Sequence, residues 1–191
     1  SCRLMALNLY SYVENPFTAQ AKFNFDLFSR HVQTAQRLMD DIIDLEREKI
    51  RVILDKVAAD PQSETVRNTE KELWEKIDAK CVQGRRTGLG ITSEGDMLAA
   101  LGLRYGSEEA IEMAVRVQRT LALSAYRSSV QMAHERGAFP IFDAEREREN
   151  PFIQRMREAD GKLYDDMLKY GRRNIACLTI APTGTTSLMT Q

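Results

Sequence analysis

Three cysteines, one hydroxyl-rich loop and two arginine pairs are the residues of this sequence whose types and spacing could do chemistry. Cys2, Cys81 and Cys177 stand far apart. That is neither a disulfide framework nor the close spacing of a local zinc or iron–sulfur site. They read either as reduced, partly buried thiols or as including a redox thiol. Cys2 and Cys177 both sit in apolar, strand-like stretches that could form the floor of a cleft. The run Pro182, Thr183, Gly184, Thr185, Thr186, Ser187 places hydroxyls at the end of an apolar stretch. With a helix following, free backbone N–H groups would join them, and such a turn can bind a phosphate or another anion. It can equally be an ordinary strand–turn–helix junction capped by hydroxyls, since the lysine of a GxxxxGK[ST] loop is absent. Arg85-Arg86 and Arg172-Arg173 could hold a phosphate or carboxylate, or form surface salt bridges. His31 and His134 fall inside helical patterns without a metal partner. Asp40-Asp41 and Asp165-Asp166 read as solvated faces, and no metal site is expected.

Helices must do most of the positioning. Residues 1–14 read as a short buried strand and a turn, broken at Asn15-Pro16. From Phe25 onward Phe28, Val32, Ala35, Leu38, Met39, Ile42 and Ile43 recur at helical intervals, and Asp60-Pro61 ends the pattern. A second helix is expected over Glu64 to Ile77, with Trp74 as a packing anchor. Gly84, Gly88 and Gly90 then favour an extended, buried segment with close backbone approach. Ser93 and Ser107 are candidate helix caps, and Gly102 and Gly137 candidate stops. Residues 108–135 read as one long core-facing helix, and 151–169 as another, opened by Pro151. Ile175 to Ala181 is apolar and partly β-branched, as in a buried strand.

Composition narrows the classes. The chain has 191 residues, 43% hydrophobic and 29% charged, with a net charge of -1. It can bury a core, and it carries no general electrostatic drive toward a nucleic acid polymer. No apolar run approaches membrane-spanning length, and the start does not have the form of a secretory signal. A cytoplasmic location without membrane attachment is expected. The absence of an initiator Met reads as an internal cut from a longer chain.

Several stretches together resemble one family. CRLMALNL, through Cys2, Leu4, Asn8 and Leu9, resembles the segment of ribonucleotide reductase large subunits that carries the second cysteine of the redox pair. GRRTGLGIT and GDMLAALGLRYGSEEA resemble the middle of the vitamin B12-dependent class II enzymes. HERGAFPIF is similar to the connection after the next helix, and RRNIACLTIAPTGTTS to the strand and loop that hold substrate phosphate. Order and spacing fit throughout, with weaker matches over residues 15–80 and 141–170.

The resemblance implies a predominantly α-helical segment with a few short strands, part of a ten-stranded α/β barrel in the full protein. Residues 1–191 would be a partial catalytic barrel domain, mostly outer helices, with barrel strands near 1–13 and 175–181. It implies reduction of ribonucleotides to deoxyribonucleotides by thiyl-radical chemistry, with adenosylcobalamin as radical source in the full protein and none bound tightly by this segment. Cys2 would be one of the two cysteines that deliver reducing equivalents. Thr183, Gly184, Thr185, Thr186 and Ser187 would receive substrate phosphate. The implied partners are the ribonucleotide, a dithiol reductant and the remaining barrel chain, with a homodimer allowed. The family's Asn-x-Cys-x-Glu triad is missing: neither Cys81 nor Cys177 stands in that setting, and family order puts the triad just upstream of Cys2. The segment alone is therefore expected to be inactive. Two other readings stay open: a segment of a metal-radical reductase large subunit, and a non-catalytic helical interaction module.

Overall fold

The first strand is short because a side chain stops it. In the computed structural model, which describes residues 3–189 and only the backbone at 185, 187 and 189, β1 spans Leu4–Asn8. The Asn8 side chain accepts from Tyr10 N (3.0 Å) and turns Leu9–Tyr12 into one 3-10 turn. Of the strand expected near 1–13, the described residues form strand β1 only over Leu4–Asn8. A two-residue antiparallel pair, β2 (Val13–Glu14) with β3 (Lys22–Phe23), follows outside the main sheet. Its reversal begins at Asn15, in the left-handed region at φ 50°, where the break before Pro16 is expected.

Helix α1 runs over Phe25–Ala58, capped by Asn24, whose Oδ1 accepts from Leu27 N (2.9 Å). Its buried face carries Phe28, Val32, Ala35, Met39 and Ile43, and also the polar Gln36 and Asp40. Helix α2 (Glu64–Gly84) packs on it, with Trp74 and Ile77 against Ile43, Ile50 and Cys81. It extends beyond Ile77 until Arg85, in a left-handed conformation, closes it by donating its N–H to Cys81 O. β4 (Gly88–Thr92) then pairs in parallel with β1, Leu4 opposite Gly88 and Asn8 opposite Thr92. Gly88 and Gly90 are buried, as expected, whereas Gly84 is half-buried and is the last residue of α2.

Helix α3 (Glu94–Ala100) corrects one reading. Ser93 is not a side-chain cap: its φ is 60° and it makes no capping bond. Ser107 does cap α4 (Glu108–Arg136), accepting from Ala110 N (3.3 Å), and Gly137 ends it. Helices α1 and α4 meet through small residues. Ser29 Oγ lies 2.8 Å from Ser124 Oγ, and Ser128 Oγ donates to Gln33 O (2.8 Å). After α5 (Ala144–Glu147), the single helix expected over 151–169 is two: α6 (Pro151–Ala159) and α7 (Gly161–Tyr170). Asp160 breaks it, because its extended backbone lets its side chain accept from Leu163 N and cap the second helix. The last element is α8 (Gly184–Met189).

The strand expected over 175–181 is also corrected. Only Leu178 forms a bridge, parallel to Leu89, on the side of β4 away from β1. Four backbone bonds hold the segment: Ile175 N to Gly84 O (2.8 Å), Thr87 N to Ala176 O (3.0 Å), Leu89 N to Cys177 O (2.8 Å) and Thr179 N to Leu89 O (3.1 Å). The ladder ends there. Ile180 points out to solvent, and Pro182 has no N–H to continue it. Contact with β4 is nonetheless close, since a Cβ on Gly90 would lie 2.4 Å from Thr179 O.

Candidate functional site

β4 is the axis of the candidate site, with β1 on one side and residues 176–179 on the other. All three run in the same direction. Cys2 lies outside the described residues. The loop that begins at Pro182 follows the end of the sheet where 176–179 leaves it. Thr183 is half-buried and Gly184 opens α8, so Gly184, Thr185, Thr186 and Ser187 occupy its first turn. The backbone N–H groups of a first helical turn have no partner inside the helix.

Beneath the sheet lies a polar cluster that sequence reasoning missed. Asp40, fully buried, accepts from Arg85 Nε (2.8 Å), Arg173 Nε (3.2 Å) and Asn174 Nδ2 (2.8 Å). Arg85 also donates to both oxygens of Asp44, at 2.8 and 3.0 Å. Burial works against the Arg85 charge, but bonds to Asp44 and Asp40 outweigh it and the pKa is raised. The same bond from Arg85 holds Asp44 below the usual carboxylate range. The Asn174 side chain donates to Arg85 O (2.9 Å) and accepts from Ser129 Oγ (2.9 Å) and Gln36 Nε2 (3.1 Å).

Arg85, Arg172 and Arg173 therefore hold carboxylates within the fold and are not simple surface bridges. Arg172, nearly buried, grips Glu147. Arg86 is exposed, and its carbonyl accepts from Arg3 Nη1 (3.0 Å). Asp40 departs from the solvated face expected of Asp40-Asp41, whereas Asp41 does stay outside, paired with Arg136 (2.8 Å). Oxygens of Asp40, Asp41 and Asp44 lie within 4.8 Å of one another, a spacing that could hold a cation. Arg85, Arg136 and Arg173 already supply positive charge to these three acids. The signal for the cluster was present in the sequence: Gln36 and Asp40 interrupt the apolar stripe of α1 at helical spacing, and a buried carboxylate needs a cationic partner.

The two described cysteines are both buried. Cys177 is fully buried, and burial pushes its thiol up to about 12. Cys81 is buried too, and its Sγ accepts from Arg3 Nη2 (2.8 Å). His31, on the surface, packs on Tyr12, and the exposed His134 on Tyr170 at 4.3 Å between ring centroids. A groove of about 650 Å³ between α4 and α6 is largely apolar, floored by Leu123, Phe152 and Met156. No helix among the described residues is long and apolar enough to cross a membrane.

The family model described as "Ribonucleotide reductase, barrel domain" matches residues 1–191. The chain belongs to this family. A vitamin B12-dependent ribonucleoside-diphosphate reductase of Mycobacterium tuberculosis (strain CDC 1551 / Oshkosh) is 30% identical over 99% of this chain and 20% of its own length. The enzyme of the same name from Thermoplasma acidophilum is 29% identical over 99% of this chain and 19% of its own length. A ribonucleoside-diphosphate reductase subunit alpha of Chlamydia pneumoniae is 23% identical over 97% of this chain. The chain thus spans about a fifth of the length of the curated relatives it matches. This barrel-domain segment is mostly helical, and its few strands do not close a barrel among the described residues.

Proposed function

We propose that this chain is part of an adenosylcobalamin-dependent ribonucleotide reductase that reduces ribonucleoside diphosphates, and that it supplies two pieces of the active site. The observation that carries the reading is the family match over the whole chain, together with the B12-dependent names of the relatives that align over nearly all of it. Cys2 serves as one of the two thiols that reduce the substrate. Thr183, Gly184, Thr185, Thr186 and Ser187 receive its phosphate through hydroxyls and backbone N–H groups. The substrate lies along the sheet, with its phosphate where 176–179 ends and its sugar toward the entry of β1. Cobalamin, as the source of the radical, is a cofactor of the whole protein.

The remaining chain would complete a ten-stranded barrel, and the surface of this segment supports that. β1 has no strand on its outer edge among the described residues. Leu4, Ile42 and Leu45 line one open concavity beside that edge, and Leu45 is 59% exposed. Parallel strands are ordinarily covered on both faces, so a neighbouring strand and helix would bury these side chains. By itself the segment lacks the Asn-x-Cys-x-Glu residues. Assayed alone with adenosylcobalamin, a dithiol and nucleotide, it is expected to turn over no faster than a boiled control. Turnover above that control would overturn the reading.

The phosphate role has its own test in the full-length protein. Hydrogen bonds to charged groups contribute about 1.5–3 kcal/mol, so Thr185→Ala or Ser187→Ala should raise the nucleotide Kd by about 10- to 100-fold. The Kd of the unphosphorylated nucleoside should change little. Equal changes for both ligands would mean that the loop does not bind phosphate.

A further inference from the structure

We propose that Asn174, with Ser129 and Gln36, is a positioning site that fixes where the phosphate loop stands. The proposal rests on the phosphate reading above and extends it to residues that touch no substrate. Asn174 is fully buried, and all four hydrogen-bonding positions of its side chain are filled. Nδ2 donates to Asp40 Oδ1 (2.8 Å) and Arg85 O (2.9 Å), while Oδ1 accepts from Ser129 Oγ (2.9 Å) and Gln36 Nε2 (3.1 Å). Its backbone N–H donates to Ser129 Oγ as well (3.1 Å). These partners come from α1, from α4 and from the end of α2, so one amide ties three helices to the start of 176–179.

The neighbouring backbone is held as firmly. Arg173 N donates to Ser129 O (2.9 Å) and Ile175 N to Gly84 O (2.8 Å). Thr87, at the entry to β4, accepts from Gln36 Nε2 (3.0 Å), and its Oγ1 lies 3.2 Å from Cys177 O. Gln36 therefore links the start of β4 to the start of 176–179. A one-residue slip of 176–179 would unmake all of this at once and leave buried polar groups unpaired.

Such a lock has a reason to exist. The segment makes only two backbone bonds to β4 and one to Thr87 just before it, and past Thr179 no described backbone bond joins residues 180–183 to the sheet. With so short a ladder, the register must come from elsewhere, and the amide of Asn174 supplies it from below. The loop at 183–187 leaves the other end of the same extended segment, so a shift at 174 is carried along the chain to the phosphate donors. Misplacement of a binding group by about 1 Å can cost about 100-fold.

The test uses the full-length protein with Asn174→Ala and the milder Ser129→Ala, beside Thr185→Ala. Two readouts are required: amide exchange at Leu89 and Thr179, and KM against kcat for a ribonucleoside diphosphate. Both positioning variants should exchange faster at these amides. They should raise KM by about 10- to 100-fold with kcat changed little, because uniform binding is what is lost. Binding of the unphosphorylated nucleoside should stay near wild type. If Asn174→Ala fails to fold, Ser129→Ala decides. Faster exchange with an unchanged KM would reduce the cluster to a purely structural role and overturn the proposal, as would a raised KM with wild-type exchange. If Thr185→Ala raises the nucleotide Kd while Ser129→Ala leaves KM alone, the positioning claim fails and the phosphate reading stands. If Thr185→Ala has no selective effect, the phosphate reading fails and takes the positioning claim with it.

Discussion

Replacing Cys2 with Ser in the full-length protein is expected to abolish multiple turnover while leaving the first radical step on the substrate possible. Reducing a C–OH to a C–H takes two electrons and releases the oxygen as water. Two thiols can supply those electrons by becoming a disulfide, which an external dithiol then reduces by exchange. A serine hydroxyl cannot form that bond, so the cycle cannot close. Steady turnover should fall to the level of the boiled control with a physiological dithiol. The described cysteines offer an internal contrast. Cys177 is fully buried, its thiol is pushed up to about 12, and almost none of it is thiolate near neutral pH. Cys177→Ser, if folded, should therefore keep steady turnover. Wild-type turnover by Cys2→Ser would remove Cys2 from the redox pair, whereas loss of turnover by both variants alike would point to folding.

The helices of this segment were largely legible, because each long one combines a periodic apolar face with a local stop. Ser107, Gly137 and Pro151 mark boundaries where the structure has them. Shorter features turned on side-chain choices that periodicity does not carry. Asp160 could continue a helix or cap a new one, and capping wins through Leu163 N. Ser93 had the residue type of a cap, but its left-handed backbone removes the geometry for one. Ile175 to Ala181 has the composition of a buried strand. Yet its first residues are spent on the Asn174 cluster and its last run into Pro182, which leaves one bridge at Leu178. Burial of the glycines in β4 was legible, but what they admit was not. Gly88 and Gly90 are flanked by the backbones of Arg3 and Thr179, which are distant in sequence.

The adjacent acids of α1 divide between core and solvent. Asp40 and Asp41 are adjacent and identical in type, and composition gives no reason to separate them. Helical geometry does, because Asp40 shares a face with Gln36 and Ile43, while Asp41 is turned toward solvent. Asp40 sits among Arg85, Arg173 and Asn174 with no exposure at all. Removing one partner of such a group leaves the other charges buried and uncompensated, which typically costs about 3–5 kcal/mol. Asp44 compensates part of this for Arg85, but Asp44 is partly exposed and reaches neither Asn174 nor Arg173 through any hydrogen bond seen here. Asp40→Ala in the full-length protein should therefore open the sheet locally, with exchange at Leu89 and Thr179 faster by about 100- to 1000-fold. Asp41→Ala breaks only a half-exposed pair with Arg136, and such pairs contribute about 0.2–1 kcal/mol. Its exchange at the same amides should stay within a few-fold of wild type. Comparable exchange in the two variants would mean that Asp40 is not the keystone of the cluster, and that apolar packing around Leu89 and Cys177 holds the segment without it.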